Sequence, residues 1–296
     1  MERDTRKVGK TYKAIFFDWD GTAVKTRKEP ADKVAALMKP LLDKGVKLII
    51  ISGTTYDKIA EGRLHEYFTE KELNNLYLGL ARGAHNYSFK AGRPVLHEEF
   101  LPGIEEKLKI HDSVFQLHKY LLTRYRIESD IVFTRPNYCK MDLLVEHDRC
   151  DSLFLQKGET EMVQKMLRDH GVTNGLSEIM GMAERIGREA GIAVKATTDA
   201  KYLEIGLTTK SDNVDYFADH VLIPEGINMS ECCFWGDEYV YLDEGIPGSD
   251  AYMITEKTKR ADFYDVLEIE GNRAKEVEHT GGGTERFHLF LREQVR

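Results

Sequence analysis

Four short runs along the chain are almost wholly apolar: Ala14-Ile-Phe-Phe17, Val46-Lys-Leu-Ile-Ile-Ile51, Leu76-Tyr-Leu-Gly-Leu-Ala81 and Glu231-Cys-Cys-Phe-Trp235. Runs of this length without period-two alternation predict strands covered on both faces, as in a parallel sheet. Between the first two, Val34, Leu37, Met38, Leu41 and Leu42 recur at helical spacing. They predict a helix from Pro30 to about Lys44, with Pro tolerated at its start and Gly45 ending it. Another helix is predicted to begin over Thr55 to Ala60. A strand, helix, strand progression implies a parallel sheet joined by crossovers.

From about His85 the pattern changes. Asn86-Tyr-Ser-Phe89 and Pro94-Val-Leu-His97 read as a hairpin turning at Ala91-Gly92, and a helical region follows from Ile104 to Tyr125. Two alternating runs, Ser129 to Thr134 and Lys140 to Val145, predict antiparallel strands with one covered face. Helices near Glu159 to His170 and Ser177 to Ala190 precede strands at Ile192 to Ala196 and Tyr202 to Ile205. Antiparallel strands and helices lodged between two halves of a parallel sheet mark a second domain. The fold class is therefore α/β, with a core over 1–85 and 207–296 and an inserted α+β domain over 86–206. The core resumes with a helix from about Asp212 to His220. Thr284, behind a flexible Gly281-Gly-Gly283 lead-in, is predicted to cap the last helix.

Composition narrows the partners. A chain of 296 residues that is 42% hydrophobic and 31% charged is an ordinary globular protein with room for two domains. Its net charge of -8 argues against a nucleic-acid partner, which would call for a basic face. Four cysteines, two of them adjacent at Cys232 and Cys233, suggest no disulfide framework and point to a reducing cytoplasm. The polar start Met1-Glu-Arg-Asp-Thr-Arg-Lys7 leads into no signal-like or membrane-spanning run. The sequence leaves the oligomeric state open.

Chemistry enters at the end of the first apolar run, where Asp18 and Asp20 stand one residue apart, ahead of Gly21 and Thr22. Two carboxylates so placed repel one another, so keeping both ionised requires a cation. Mg²⁺ suits them, because it takes oxygen ligands from one or two carboxylates and from substrate phosphate. One carboxylate can then attack phosphorus while the other moves the proton of the leaving oxygen.

Phe17-Asp-Trp-Asp-Gly-Thr22 resembles motif I of the haloacid dehalogenase superfamily, whose members are mostly Mg²⁺-dependent phosphoryl-transfer enzymes. Ile49-Ile-Ile-Ser-Gly53 resembles its motif II, Lys210 in Gly206-Leu-Thr-Thr-Lys-Ser211 its motif III, and Phe234-Trp-Gly-Asp237 its motif IV. The four follow the family's order and span nearly the whole chain. The resemblance implies a Rossmann-like parallel-sheet core, and the position of the insertion, between motifs II and III, is that of the C2-type caps of subfamily IIB, which includes phosphomannomutases and sucrose phosphatases.

By the same resemblance Asp18 is the nucleophile, Asp20 the general acid and base, and Ser52 and Lys210 the groups that bind the phosphoryl oxygens. Mg²⁺ is held by Asp18, the main-chain carbonyl of Asp20, Asp237 and a further acid. Motif IV departs from the pattern, because Tyr241 stands where the second aspartate is usual. Asp243 and Asp250 are the substitutes, and Asp250, in a segment like the delayed one of phosphomannomutases, is the favoured one. Arg27 and Gly53 match substrate-facing positions there. In the cap, Arg135 and Arg149 flank a strand pair loosely as phosphate-gripping arginines do, with Lys140 a weaker candidate. The implied activity is a phosphatase acting on a small phosphorylated metabolite, above all a sugar phosphate. The alternatives are a phosphohexomutase of the phosphomannomutase type and a binding protein with little catalysis.

Overall fold

The computed structural model describes residues 10–149, 155 and 157–295, with only the backbone of residues 98 and 99. Cys150 and the polar start at 1–7 lie outside the described residues.

In chain order the core opens with β1 (Ala14–Phe17), α1 (Asp32–Asp43) and β2 (Lys47–Ile51), followed by the short α2 (Glu70–Leu73) and β3 (Leu76–Leu80). A hairpin of β4 (His85–Lys90) and β5 (Arg93–Glu99) comes next. It is followed by α3 (Ile104–Tyr120), β6 (Asp130–Val132), β7 (Tyr138–Asp142), α4 (Glu159–Asp169), α5 (Gly175–Glu189), β8 (Lys195–Thr198) and β9 (Tyr202–Gly206). The chain then runs through α6 (Lys210–Phe217), β10 (Cys232–Gly236), the two-stranded ribbon β11 (Tyr241–Asp243) and β12 (Ile246–Pro247), β13 (Asp262–Asp265), β14 (Val277–His279) and α7 (Gly283–Gln294).

The large sheet has the order β14-β13-β10-β1-β2-β3-β4-β5, and every pairing from β14 to β3 is parallel. Its central strand β1 explains the missing alternation. Ile15 and Phe17 enter the cluster made with Met38 and Leu41 of α1 and Phe287 and Leu291 of α7, while Ala14 and Phe16 enter the cluster made with Val214 and Phe217 of α6. Both faces of the strand are thus buried under helices, and an apolar residue is needed at every position.

The second sheet, β6-β7-β9-β8, is wholly antiparallel. Here alternation does appear. Cys139, Met141, Leu203, Ile205 and Ala196 pack into a cluster with Ile110, Val114 and Leu117 of α3 and Ile179 and Ala183 of α5. Tyr138, Lys140, Glu204 and Thr197 occupy the alternate positions and face a cavity above the core. The molecule is therefore a mainly parallel α/β core carrying an α+β cap.

Three expectations need correction. The hairpin predicted to open the inserted unit at 86 instead extends the large sheet, with β4 antiparallel to β3, so the separate second sheet and its helices begin only after residue 99. No α-helix forms after Thr55. Short 3₁₀ turns run from Tyr56 to Tyr67, broken where Ala60 and Glu61 take φ of 46° and 55°. Finally, Thr284 is buried and makes no cap. Gly282, in the left-handed region, precedes α7, and Gly281 and Gly283 are tied by their N–H groups to Asp265 and Val266.

Candidate active site

The carboxyl ends of β1, β2 and β10 meet the N-terminus of α6 beneath the cap sheet, which is where open α/β sheets place ligands. A cavity of about 150 Å³ lies there, and Asp18, Asp20, Arg27, Ser52, Gly53 and Lys210 all line it. Motifs I, II and III, far apart in sequence, are thus brought to one place by the parallel order of the strands.

Asp18 directly follows β1 and is fixed by its N–H, which donates to the Trp235 carbonyl at 2.9 Å. Lys210 is the first residue of α6 and is buried. Its ammonium donates to Asp18 Oδ1 at 2.9 Å and to Asp250 Oδ1 at 2.7 Å. Burial opposes the charge on Lys210, but Asp18 and Asp250 outweigh it and raise the pKa well above the ordinary lysine value. Burial raises the Asp18 carboxyl, Lys210 pulls it down, and Asp250 and Asp20 push it up again.

Motif IV is folded around the same lysine. Asp237 is buried, accepts from Thr22 Oγ1 at 3.0 Å, and has its pKa raised by burial and by Asp250, Glu238 and Asp18. Gly21, with φ of +89°, lies so close to this carboxylate that a Cβ would collide with it. Gly236 stands in the same relation to Asp250. The two glycines are therefore what allow the ends of β1 and β10 to carry their carboxylates side by side.

The ambiguity in motif IV resolves. Asp243 accepts from the Leu176 N–H at 2.9 Å at the start of α5, a structural role remote from Lys210. Asp250 is fully buried beside Lys210, and its Oδ2 accepts from the main-chain N–H groups of Asp237 and Glu238 at 2.9 and 2.8 Å. Asp250 does not line the cavity, and both its oxygens are engaged. Asp250 anchors the lysine and the motif IV turn.

Asp20 departs from expectation in another way. Arg27 grips its Oδ2 through Nε at 3.1 Å and Nη2 at 2.6 Å, so Arg27 holds the acid and base candidate as well as lining the cavity. The other oxygen, Oδ1, is buried and unpartnered among the described residues. It is the atom free to carry a proton. Ser52, at the end of β2, keeps its Oγ within reach of the Thr54 N–H at 3.3 Å and faces the cavity with Gly53.

Among the described residues no three side chains of His, Cys, Asp or Glu converge as a metal cage. Mg²⁺ does not require one, since it keeps several waters and relies on one or two carboxylates with phosphate oxygens. The donor set fits that style of binding. Asp18, Asp20, Asp237, Asp250 and Glu238 crowd one corner against Lys210 and Arg27, and burial followed by Asp199 and Asp250 pushes Glu238 up to about 7. A divalent cation offsets that excess negative charge.

In the cap, Arg135 lines the cavity and Arg149 does not. Arg149 is buried in an ion-pair cluster, donating to Glu159 Oε1 and Oε2 at 2.7 and 2.6 Å and to Asp199 Oδ2 at 2.8 Å. Its expected substrate contact is corrected: all its charge is spent inside the cap. Lys140 does reach the cavity, with its ammonium 3.7 Å from the centre of the Tyr202 ring. Arg82, Tyr138, Thr197 and Glu204 were not anticipated. Lys140, Glu204 and Thr197 lie side by side in the register of β7, β9 and β8, so the polar positions of those alternating strands were a usable signal. Arg82 gave none, because it sits in a turn after β3.

Neither a protein-family model nor a curated protein matches the sequence. Solved structures do match the fold. An N-terminally truncated IMP-nucleotidase from Plasmodium falciparum aligns over 98% of this chain and 72% of its own, with TM-score 0.59 and 12% identity. For the IMP-nucleotidase without that truncation the share of its own length is 62%. The sucrose-phosphatase of Synechocystis, solved with sucrose and phosphate, aligns over 95% of this chain and 97% of its own, with TM-score 0.53 and 14% identity. A trehalose-6-phosphate phosphatase from Aspergillus fumigatus covers 95% and 92%, with TM-score 0.54 and 15% identity. The chain therefore has the fold of these nucleotide and sugar-phosphate phosphatases, a mainly parallel α/β core with a second, antiparallel sheet above it.

Proposed function

We propose that the protein is a Mg²⁺-dependent phosphatase that removes phosphate from a small phosphorylated metabolite, most of all a sugar phosphate, through an aspartyl-phosphate on Asp18. The observation that carries the reading is the buried Lys210 bridging Asp18 and Asp250 beneath the cavity. A lysine so held neutralises the nucleophile's surroundings and is placed to meet the charge that spreads over the phosphoryl oxygens in the transition state.

Asp18 attacks phosphorus in line, and the leaving oxygen takes a proton from Asp20. Asp20 then takes a proton from the water that hydrolyses the acyl phosphate, while Arg27 keeps its carboxyl oriented throughout. Ser52 and the Gly53 main chain bind phosphoryl oxygens. Asp18, the Asp20 carbonyl and Asp237 are the groups to hold Mg²⁺, which when bound neutralises charge on the phosphate. The cap sheet closes over the cavity and excludes water.

A compact ester suits a space of about 150 Å³ better than a large ligand does. Two of the similar structures are named as phosphatases of sugar phosphates. Among the described residues no helix is long and apolar enough to cross a membrane. Cys139, Cys232 and Cys233 are free, which fits a reducing setting such as the cytoplasm. The test is a panel of phosphorylated metabolites with Mg²⁺, following free phosphate and isomerised product separately. Phosphate release abolished by chelation is expected. Isomerised product without net phosphate release would make the protein a mutase.

A further inference from the structure

The cavity has two charged ends, and only one is explained by phosphoryl transfer. At the roof stands Arg82, which is 3% exposed and belongs to the turn after β3. That turn is an unusual one. Ala81 and Arg82 take φ of 54° and 52°, in the left-handed region that non-glycine residues avoid, and Gly83 follows at 98°. Strain of this kind persists only where surrounding contacts hold it. Here they come from both sides: from the cap, the Asn137 side-chain amide donates to the Ala81 carbonyl at 2.7 Å, and toward the core the Ala81 N–H donates to the Thr54 carbonyl at 2.8 Å.

The turn throws the arginine across the cavity. Its stem passes Gly53, while its head bonds cap strands, Nη2 to Thr197 Oγ1 at 2.7 Å and Nε to Glu204 at 3.0 Å. Its flat face covers the Tyr138 ring at 5.0 Å. Nη1 is buried and has no hydrogen-bond partner among the described residues, and Arg82 lines the same space. Arg135 lies on the same cavity, and its buried Nε also lacks a partner; among the described residues Arg135 makes no ion pair. Arg27, Arg82, Arg135 and Tyr138 all line this one cavity.

Carboxylates line the cavity too, and each is held by a neighbour, although Asp20 Oδ1 keeps no partner among the described residues and Glu238 has only a hydroxyl. Glu204 is paired with Arg82 and Asp199 with Arg149, Glu238 is held by the Ser249 hydroxyl, Asp20 by Arg27 and Asp18 by Lys210. Among the described residues that leaves Arg135 without an ion pair, an open donor on each of two guanidiniums, and the Lys140 ammonium on the same cavity. A buried guanidinium donor without an acceptor is costly, and a carboxylate or phosphate oxygen is what its fork geometry fits.

Resting on the phosphatase reading above, we propose that Arg82 and Arg135 form a second anion-binding subsite, so that the substrate carries an acidic group in addition to the phosphate that is removed. A carboxylate and a second phosphate share the chemistry required. Neutral sugar phosphates fill the reaction end and leave both donors unmet.

The test compares kcat/KM for glucose 6-phosphate, 6-phosphogluconate and fructose 1,6-bisphosphate, with Mg²⁺, in wild type, Arg135→Gln and Arg82→Lys. Because the ratio between substrates is read within each protein, a general loss of activity cancels. One charge-assisted contact corresponds to roughly ten- to a hundred-fold in that ratio. The expected result is a preference of about tenfold or more for one of the doubly acidic substrates over glucose 6-phosphate, falling toward one in both variants. Preference for the gluconate alone assigns the subsite to carboxylate, and for the bisphosphate alone to phosphate. A wild-type ratio near one, or a preference that survives Arg135→Gln, overturns the proposal; Arg135 is partly exposed and makes no ion pair, so this variant decides even if Arg82→Lys does not fold. Should no phosphate be released from any of the three, the phosphatase reading fails, and titration calorimetry of wild type with the same compounds decides the subsite alone: tighter binding of a doubly acidic compound supports it, and equal binding overturns it.

Discussion

At the floor of the cavity the core's acids and bases are held by fixed partners: Lys210 lies between Asp18 and Asp250, Arg27 grips Asp20, Asp250 accepts two main-chain N–H groups besides, and Asp237 and Glu238 accept from the Thr22 and Ser249 hydroxyls. At the roof, made by the cap sheet and the turn after β3, among the described residues Arg135 makes no ion pair and Arg82 keeps an open donor. Floor and roof therefore serve different ends. A floor with fixed partners has its dipoles and charges set before the substrate arrives, which is what lowers a barrier without reorganisation. A roof with open donors has its polar groups completed by the ligand, which is what discriminates between ligands, since an analogue lacking the matching group leaves them unmet.

The sharpest way to break this comparison is Lys210→Met. It removes the charge from the floor and leaves Asp18 and Asp250 buried without a cation, so turnover should fall by about 10²–10³. Unfolding in denaturant should show a loss on the order of 3–5 kcal/mol, reduced at low pH where the carboxylates protonate. A variant that is stable and active would mean the floor is not pre-set.

Arg149→Ala tests the division within the cap. Its partners Glu159 and Asp199 would be left buried and unpaired, at a cost of about 3–5 kcal/mol in denaturant unfolding. Measured on protein shown to be folded, KM for phosphate esters should stay close to wild type. A selective rise in KM would return Arg149 to the substrate.

The smallest effect is expected from Asp243→Ala. It removes the acceptor for Leu176 N–H at the head of α5 and should cost about 1 kcal/mol in thermal or chemical unfolding, with Mg²⁺ dependence of turnover unchanged. A weakened response to Mg²⁺ would put Asp243 back among the metal groups.

How far the sequence could be read follows the same division. The floor was legible because β1, β2 and β10 are buried on both faces and end in acids, a hydroxyl and glycines that tolerate little else. Asp18, Asp20 and Ser52 stand where those runs place them, and Lys210, singled out by its resemblance to motif III, stands at the start of α6. Asp237 likewise follows from β10. Asp250 was legible in position but not in role, since nothing local says that its oxygens would be taken by Lys210 and two N–H groups. The roof was harder to read. Arg149 looks like Arg135 in sequence, as both end a strand region, and only burial against Glu159 and Asp199 separates them. Arg82 depends on a left-handed turn held by Asn137, a contact between residues far apart in the chain. The hairpin at 85–99 was read correctly as a hairpin, but strand patterns alone do not reveal which sheet it joins.

The central claim is that Asp18 is the nucleophile of a phosphoryl transfer, and the most direct measurement is acid quenching of the protein during turnover of a phosphate ester with Mg²⁺, followed by mapping of any phosphorylated peptide. The account predicts phosphate on the peptide carrying Asp18 in wild type. In Asp18→Asn it predicts no phosphorylated peptide, no phosphate release and an intact fold by circular dichroism. Near-normal release by Asp18→Asn, or a phosphorylated residue elsewhere in wild type, would contradict it.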